Sequence, residues 1–401
     1  MTESLTWRRL PSTLLMILAL SLLMVARAPE ASAEQSAPNT RLAVVLLVDN
    51  SGSMASSDPG GLRWSAAQLF VDLSTPGDHI AAVTFSSTVS PLGDAASGKM
   101  ATISDPASRK AVKTLLAPQK PDGATNMNEA LRTAARLLEG QVEGARPVVV
   151  LLTDGKPEPA DQIPALNAII GELGKAGVPT FPILLGSNVD PDSANRMVRE
   201  TGSLRQDVAT AAGLLEAFGR IYAYVQPGRY VDELQLSQGQ RLAFLTNPAQ
   251  SVTDLAVIVP RREANGPGLQ AVTLDGVDLL GQRVLANGGR SEAAEGPHYQ
   301  LVRVTHNAPI AGEWALVPAS RGKGLLIVES HVVFELPHPT ASVADSFVSP
   351  RLIPTGRPLF LAARVRRAGN LLADAQLSVV ARDQASPLES RGLSANRDFY
   401  W

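Results

Sequence analysis

Cysteine is absent from the 401 residues. That excludes a disulfide framework, thiolate-held zinc, iron–sulfur clusters and a thiol nucleophile. Histidine is scarce: His79, His298, His306, His331 and His338 are the whole set, and no HExxH pair exists for a thermolysin-like zinc protease. Charge of one sign is also lacking. A formal net charge of −2 gives no field to draw in nucleic acid or an anionic membrane. Arg357, Arg364, Arg366 and Arg367 have no interleaved aromatics for base stacking and read as a solvated strand face. No apolar run approaches the roughly 18 residues of a membrane span.

What is present is an ordinary globular composition, 45% hydrophobic and 18% charged, in a chain long enough for two or three domains. Arg8-Arg9, the apolar run 14–26 and Ala31-Ser32-Ala33 read as the three parts of a secretory signal peptide over 1–33. The mature protein is then expected outside the cytoplasm, as a periplasmic, cell-surface or secreted protein with no transmembrane helix. Residues 34–40 read as a linker.

From 41 to 225, apolar strands alternate with helical stretches. The run 42–48 is continuously apolar, as expected of a strand buried on both faces, and 80–85, 148–153 and 180–185 read similarly. Helical spacing connects Leu62, Ala66, Leu69, Phe70 and Leu73, then Ala130 to Leu138, and then Leu214 to Val225. Asp105-Pro106 and Asp190-Pro191 look like N-caps followed by proline at the first helical position. The alternation predicts an α/β fold, a doubly wound and mostly parallel sheet covered by helices. Past Gln226 the texture changes to short near-alternating runs punctuated by Gly, Pro and Asn. These predict an all-β, immunoglobulin-like sandwich over 226–336. Pro337-His338-Pro339 reads as a linker, and 341–401 as a second β domain whose roughly 60 residues are few for a complete sandwich.

The chemistry is concentrated where three of these strands end. Asp49-Asn50-Ser51-Gly52-Ser53 follows the first strand, Thr125 precedes a helix 72 residues after Ser53, and Asp154 follows the strand VVVLLT 29 residues after Thr125. Open parallel sheets place ligands at such carboxyl ends. Asp49, Ser51 and Ser53 stand at i, i+2 and i+4, so an extended loop can aim their oxygens to one side, with Gly52 giving the bend. Joined by Thr125 and Asp154 they make an all-oxygen shell with two formal negative charges. Such a shell suits a hard dication, Mg²⁺ or Mn²⁺, and leaves it able to take one further anionic oxygen.

These motifs (DNSGSM, DGATNMNEAL and VVVLLTDGKP, in that order) resemble the von Willebrand factor A domain and its metal-ion-dependent adhesion site. The resemblance covers roughly residues 41–225. It implies a central sheet with one short antiparallel edge strand, and metal held by Asp49, Ser51, Ser53, Thr125 and Asp154, the hydroxyls directly and some acids through water. The β region from Pro227 to about Leu336 is similar, more loosely, to the sandwich following this domain in some exported bacterial proteins and in calcium-activated-chloride-channel-regulator-like proteins. Its segment 309–314 fits their P-x-x-G-x-W turn. The expected function is an exported, non-enzymatic binding or adhesion protein that grips an Asp or Glu carboxylate of a protein or surface ligand through the cation. The alternative is a metal-stabilised interaction scaffold in an extracytoplasmic assembly. A metal-dependent hydrolase ranks third, because no histidine or second acid offers a general base.

Overall fold

The computed structural model describes residues 41–139, 144–226, 229–246, 252–281, 283–285 and 289–330, together with short strands between 332 and 400. The segments read as signal peptide and linker, and Pro337-His338-Pro339, lie outside the described residues.

The first part is built on a seven-stranded sheet. Strands β1 (Leu42–Asp49), β2 (His79–Phe85), β5 (Arg146–Thr153), β6 (Thr180–Leu185) and β7 (Gln206–Val208) run parallel in the order β2-β1-β5-β6-β7. Every residue of β1 is buried. Alternate side chains serve opposite faces. Val44, Leu46 and Val48 join one core with Met54 of the short helix α1 (Met54–Ser57) and with helices α2 (Leu62–Leu73) and α7 (Leu214–Val225). Val45 and Leu47 join a second core with α4 (Met127–Leu138) and α5 (Ile163–Lys175). Both Asp-Pro signals are caps. Asp105 accepts from the Ser108 N–H at the start of α3 (Pro106–Leu115), and Asp190 from the Asp192 and Ser193 N–H groups at the start of α6 (Pro191–Thr201). The single antiparallel edge strand expected from the resemblance is instead two short pieces. Strands β3 (Val89–Pro91) and β4 (Ala101–Thr102) pair with opposite ends of β2, so the chain covers that edge in two visits.

The second part is all β and antiparallel. Strands β8 (Arg229–Leu236), β10 (Val252–Pro260), β13 (Arg283–Val284), β14 (Arg290–Gly296), β15 (Tyr299–Thr305) and β17 (Gly322–Ser330) form a six-stranded sheet in the order β13-β14-β15-β10-β17-β8. A four-stranded sheet runs β12-β11-β16-β9, with β9 (Leu242–Thr246), β11 (Leu269–Leu274), β12 (Val277–Asp278) and β16 (Gly312–Pro318). Farther on, Val332–Glu335, Arg364–Arg367 and Asn370–Leu371 make a small ladder, and two more hairpin pairs follow.

The six-stranded sheet is buried on both faces. Leu255, Val257, Val259, Val302, Val304, Leu326 and Val328 face the four-stranded sheet, around Trp314, whose ring stacks on Phe244. Ala256, Ile258, Tyr299, Leu301, Leu325 and Ile327 face the other way and share one continuous core with α2 and α7. The central strands therefore read as solid apolar runs rather than clean alternation. Polar groups close the seam. Asp254 accepts from Arg303 Nε (2.9 and 3.0 Å) and from Arg229 Nη2 (3.0 Å), while Arg303 Nη1 donates to the Leu73 carbonyl at the end of α2 (3.0 Å). Arg109 bridges from α3 to Glu292 (2.8 Å), and Asp72 takes both Lys113 and the Tyr299 hydroxyl.

Burial by itself would push the Asp254 carboxyl up, but the guanidiniums of Arg303 and Arg229 outweigh it and hold the group below the ordinary carboxylate value. A depressed carboxylate stabilises the fold above its unfolded pKa, and that contribution is lost as pH falls through the folded one. Asp254→Asn should therefore cost about 3–5 kcal/mol at neutral pH, the usual penalty for breaking a buried pair. The deficit in melting temperature against the parent should shrink as pH falls below about 4, where the carboxyl of the unfolded parent takes up a proton, and should vanish as the depressed folded carboxyl does so too. Melts at pH 7 and pH 3 check this; an equal deficit at both would contradict it.

Candidate functional site

The register of the sheet brings the expected residues to one edge. Val48 pairs with Leu152, so the next residues, Asp49 and Thr153, leave the sheet side by side. The Thr153 hydroxyl donates to Asp49 Oδ2 (2.6 Å), and the Ser51 N–H donates to Asp49 Oδ1 (2.7 Å). Asp49 is fully buried, and that burial pushes its carboxyl up to about 6 against the opposing pull of these hydrogen bonds. One turn on, the Ser51 and Ser53 hydroxyls lie 3.1 Å apart, and Ser53 donates to Asp154 Oδ1 (2.7 Å) across 101 residues of chain.

Thr125 arrives from the third side. The Asn126 N–H donates to the Ser86 carbonyl just beyond β2 (2.9 Å), and the Asn126 side chain caps α4 at the Glu129 N–H. The Thr125 carbonyl accepts from the Glu158 N–H (2.9 Å) and from Gln162 Nε2 (3.2 Å). Glu158 thus supports the site through its backbone while its side chain is exposed. The closeness of the three loops is measured at Gly155. A Cβ there would stand 3.0 Å from Thr125 Oγ1 and 3.8 Å from Ser53 Oγ, so only a bare backbone leaves the space between those hydroxyls open. All five expected residues, Asp49, Ser51, Ser53, Thr125 and Asp154, converge; His79 does not. It sits at the opposite end of β2, 3.1 Å from Thr102 Oγ1.

Three contributors were not legible as site residues. Thr153 is one, seen above. Asn50 ties the first loop to the second: its Nδ2 donates to the Lys120 carbonyl (2.9 Å) and its carbonyl accepts from the Asp122 N–H (2.9 Å). Arg63 in turn donates to Asn50 Oδ1 (2.9 Å), and is itself held by a buried ion pair with Asp58 (2.9 Å). The role expected of Gly52 also changes. It has no left-handed φ, and its N–H donates to the Gly123 carbonyl (2.9 Å); the left-handed residue is Gly123, φ 79°, where a Cβ would meet Ser87 Oγ at 2.6 Å.

One carboxylate oxygen of the site is unpaired. Asp154 Oδ2 is buried and has no hydrogen-bond partner. An unpaired buried carboxylate oxygen is costly, and beside three hydroxyls it fits a cation. Among the described residues no group of three or more His, Cys, Asp or Glu could serve a metal instead, so the donor set is hydroxyl-rich and hard.

The family model described as von Willebrand factor type A domain matches residues 43–215. A UPF0353 protein of Mycobacterium sp. (strain KMS) is 26% identical over 244 residues, covering 55% of this chain and 69% of that protein. A solved von Willebrand factor type A structure from Catenulispora acidiphila is 17% identical with a TM-score of 0.42, over 88% of this chain and 66% of that one. Proximal thread matrix protein 1 of the mussel byssus, solved with a zinc-occupied MIDAS motif, is 18% identical with a TM-score of 0.39, over 46% of this chain and 45% of that one. The helix-covered, mostly parallel sheet agrees with that family match: residues 43–215 match the von Willebrand factor type A domain in sequence and carry the sheet architecture it implies.

Proposed function

We propose that this domain is a metal-dependent binding module rather than an enzyme, and that Asp49, Ser51, Ser53, Thr125 and Asp154 hold Mg²⁺ or Mn²⁺. The carrying observation is the buried, unpartnered Asp154 Oδ2 beside the Ser53 hydroxyl. A dication held there would satisfy that oxygen and offer a free coordination position to the Asp or Glu carboxylate of a protein or surface ligand. The chain's own groups prepare for it. Ser51 and Thr153 fix both oxygens of Asp49, and the Glu158 N–H and Gln162 fix the backbone of Thr125. Hydrolysis has no support in these loops, which contain no histidine. Export rests on the N-terminal segment 1–33; among the described residues no helix is long and apolar enough to cross a membrane. The same reading takes 226–336 as an immunoglobulin-like spacer and 341–401 as a further β domain.

Calorimetry on the mature chain tests the metal. Mg²⁺ affinity should fall about 10- to 100-fold in Thr125→Ala and in Asp49→Ala. Thermal melts would separate loss of ligand from loss of fold, and unchanged affinity in both variants would overturn the reading. Gly155→Ala should also weaken Mg²⁺ about tenfold while melting near the parent, because its Cβ crowds Thr125 Oγ1. A pull-down from native extract, with Mg²⁺ and with chelator in parallel, tests the partner. Loss of the captured partner in chelator supports carboxylate capture, whereas full retention favours the scaffold alternative.

A further inference from the structure

A cleft of about 860 Å³ opens among three loops of the β region, at 237–240, 262–267 and 319–321. Main-chain bonds stitch its walls together. The Gly239 N–H donates to the Pro318 carbonyl (2.9 Å), the Ala319 N–H to Gly268 (2.7 Å), and the Gln240 N–H closes a turn onto Ser237 (3.0 Å). A ligand entering it would have little backbone to order, which favours binding, and the volume is that of a small-ligand site.

Two arginines line this cleft, Arg262 and Arg321, both exposed. Neither has a carboxylate partner among the described residues, whereas Arg241 and Arg261, each adjacent in sequence to a lining residue, pair with Glu313 and Glu295. The one acid in the lining is Glu263. The remaining polar groups are the hydroxyls of Ser237 and Ser320 and the amides of Gln238 and Gln240; Ala319 and Pro267 are the apolar side chains, and no aromatic takes part.

We propose that this cleft binds an acidic carbohydrate, with Arg262 and Arg321 on its carboxylate or sulfate groups and the Ser and Gln side chains on its ring hydroxyls. A guanidinium fork matches those anions in a charge-assisted, bidentate way. Amides and hydroxyls both donate and accept, as sugar hydroxyls do. The lack of an aromatic platform removes the stacking that nucleobases require and leaves charge as the source of affinity. An acidic peptide would leave the mixed donor and acceptor groups less well used.

The test titrates the mature chain with a galacturonate trisaccharide, a sulfated galactose disaccharide that carries no carboxylate, a neutral glucose trisaccharide and hexaglutamate. One or both acidic sugars should bind, and the two arms tell carboxylate from sulfate preference. Arg262→Gln and Arg321→Gln should each weaken that binding about tenfold, and Glu263→Gln should strengthen it. Binding should persist in chelator and in Thr125→Ala, so that a failed metal site leaves this result standing. No binding of either acidic sugar, equal binding of the neutral sugar or of hexaglutamate, indifference to both arginine variants, or loss in chelator would each overturn the proposal.

Discussion

The Ser53 hydroxyl bonded to Asp154 joins two loops separated by 101 residues, and much of the first domain is arranged so that this contact can form. Parallel pairing of β1 with β5 delivers Asp49 and Thr153 as neighbours. The end of β2 delivers Thr125 through the Asn126-to-Ser86 bond. Three strands pointing the same way are needed to bring three loops to one edge, which an antiparallel sheet of these strands would not do. Both oxygens of the Asp49 carboxylate are then taken up by internal hydrogen bonds, whereas Asp154 keeps one buried oxygen without a partner. That asymmetry matters energetically. Asp49 is desolvated but doubly bonded, whereas Asp154 has one oxygen bonded and one reserved.

The second constraint is at the far face of α2 and α7. Two-sided burial of the six-stranded sheet makes the domain and the β region share a core, so the two are held together by apolar contact and then pinned by charge. Asp254 with Arg303 and Arg229 shows the balance. The desolvation of three buried charges is offset by their mutual attraction, and Arg303 also satisfies the Leu73 carbonyl at the end of α2. Attachment of this kind presents the loops of the candidate site and the β-region cleft in a fixed geometry, which a flexible tether would not.

How much of this was legible follows from where each residue's environment is set. The run 180–185 reads as a strand and is one, residue for residue, because burial on both faces leaves a signature that is apolar apart from the leading Thr180. The five oxygen donors were legible because their spacing is local or sits directly after such strands. Thr153 was not, since a hydroxyl ending an apolar strand has no local signature; its role comes from the Asp49 carboxyl opposite. Arg63 and Asn50 were hidden for the same reason, their contacts being set by loop closure. Strand β14, RSEAAEG, carries no strand pattern at all, and it is drawn into the sheet by pairing with β15 and by Arg109 reaching Glu292. The split edge of β2 was equally unreadable, because two- and three-residue strands fall below any periodicity.

The central claim is spatial: the oxygens of Ser51, Ser53, Thr125 and Asp154 surround one cation, with Asp49 behind them. Anomalous diffraction from crystals grown with Mn²⁺ addresses it most directly. A single strong anomalous peak is expected within coordination distance, about 2–2.3 Å, of the serine and threonine hydroxyls and near Asp154 Oδ2. A clear map with no peak there, or with the manganese held only elsewhere on the molecule, would contradict it.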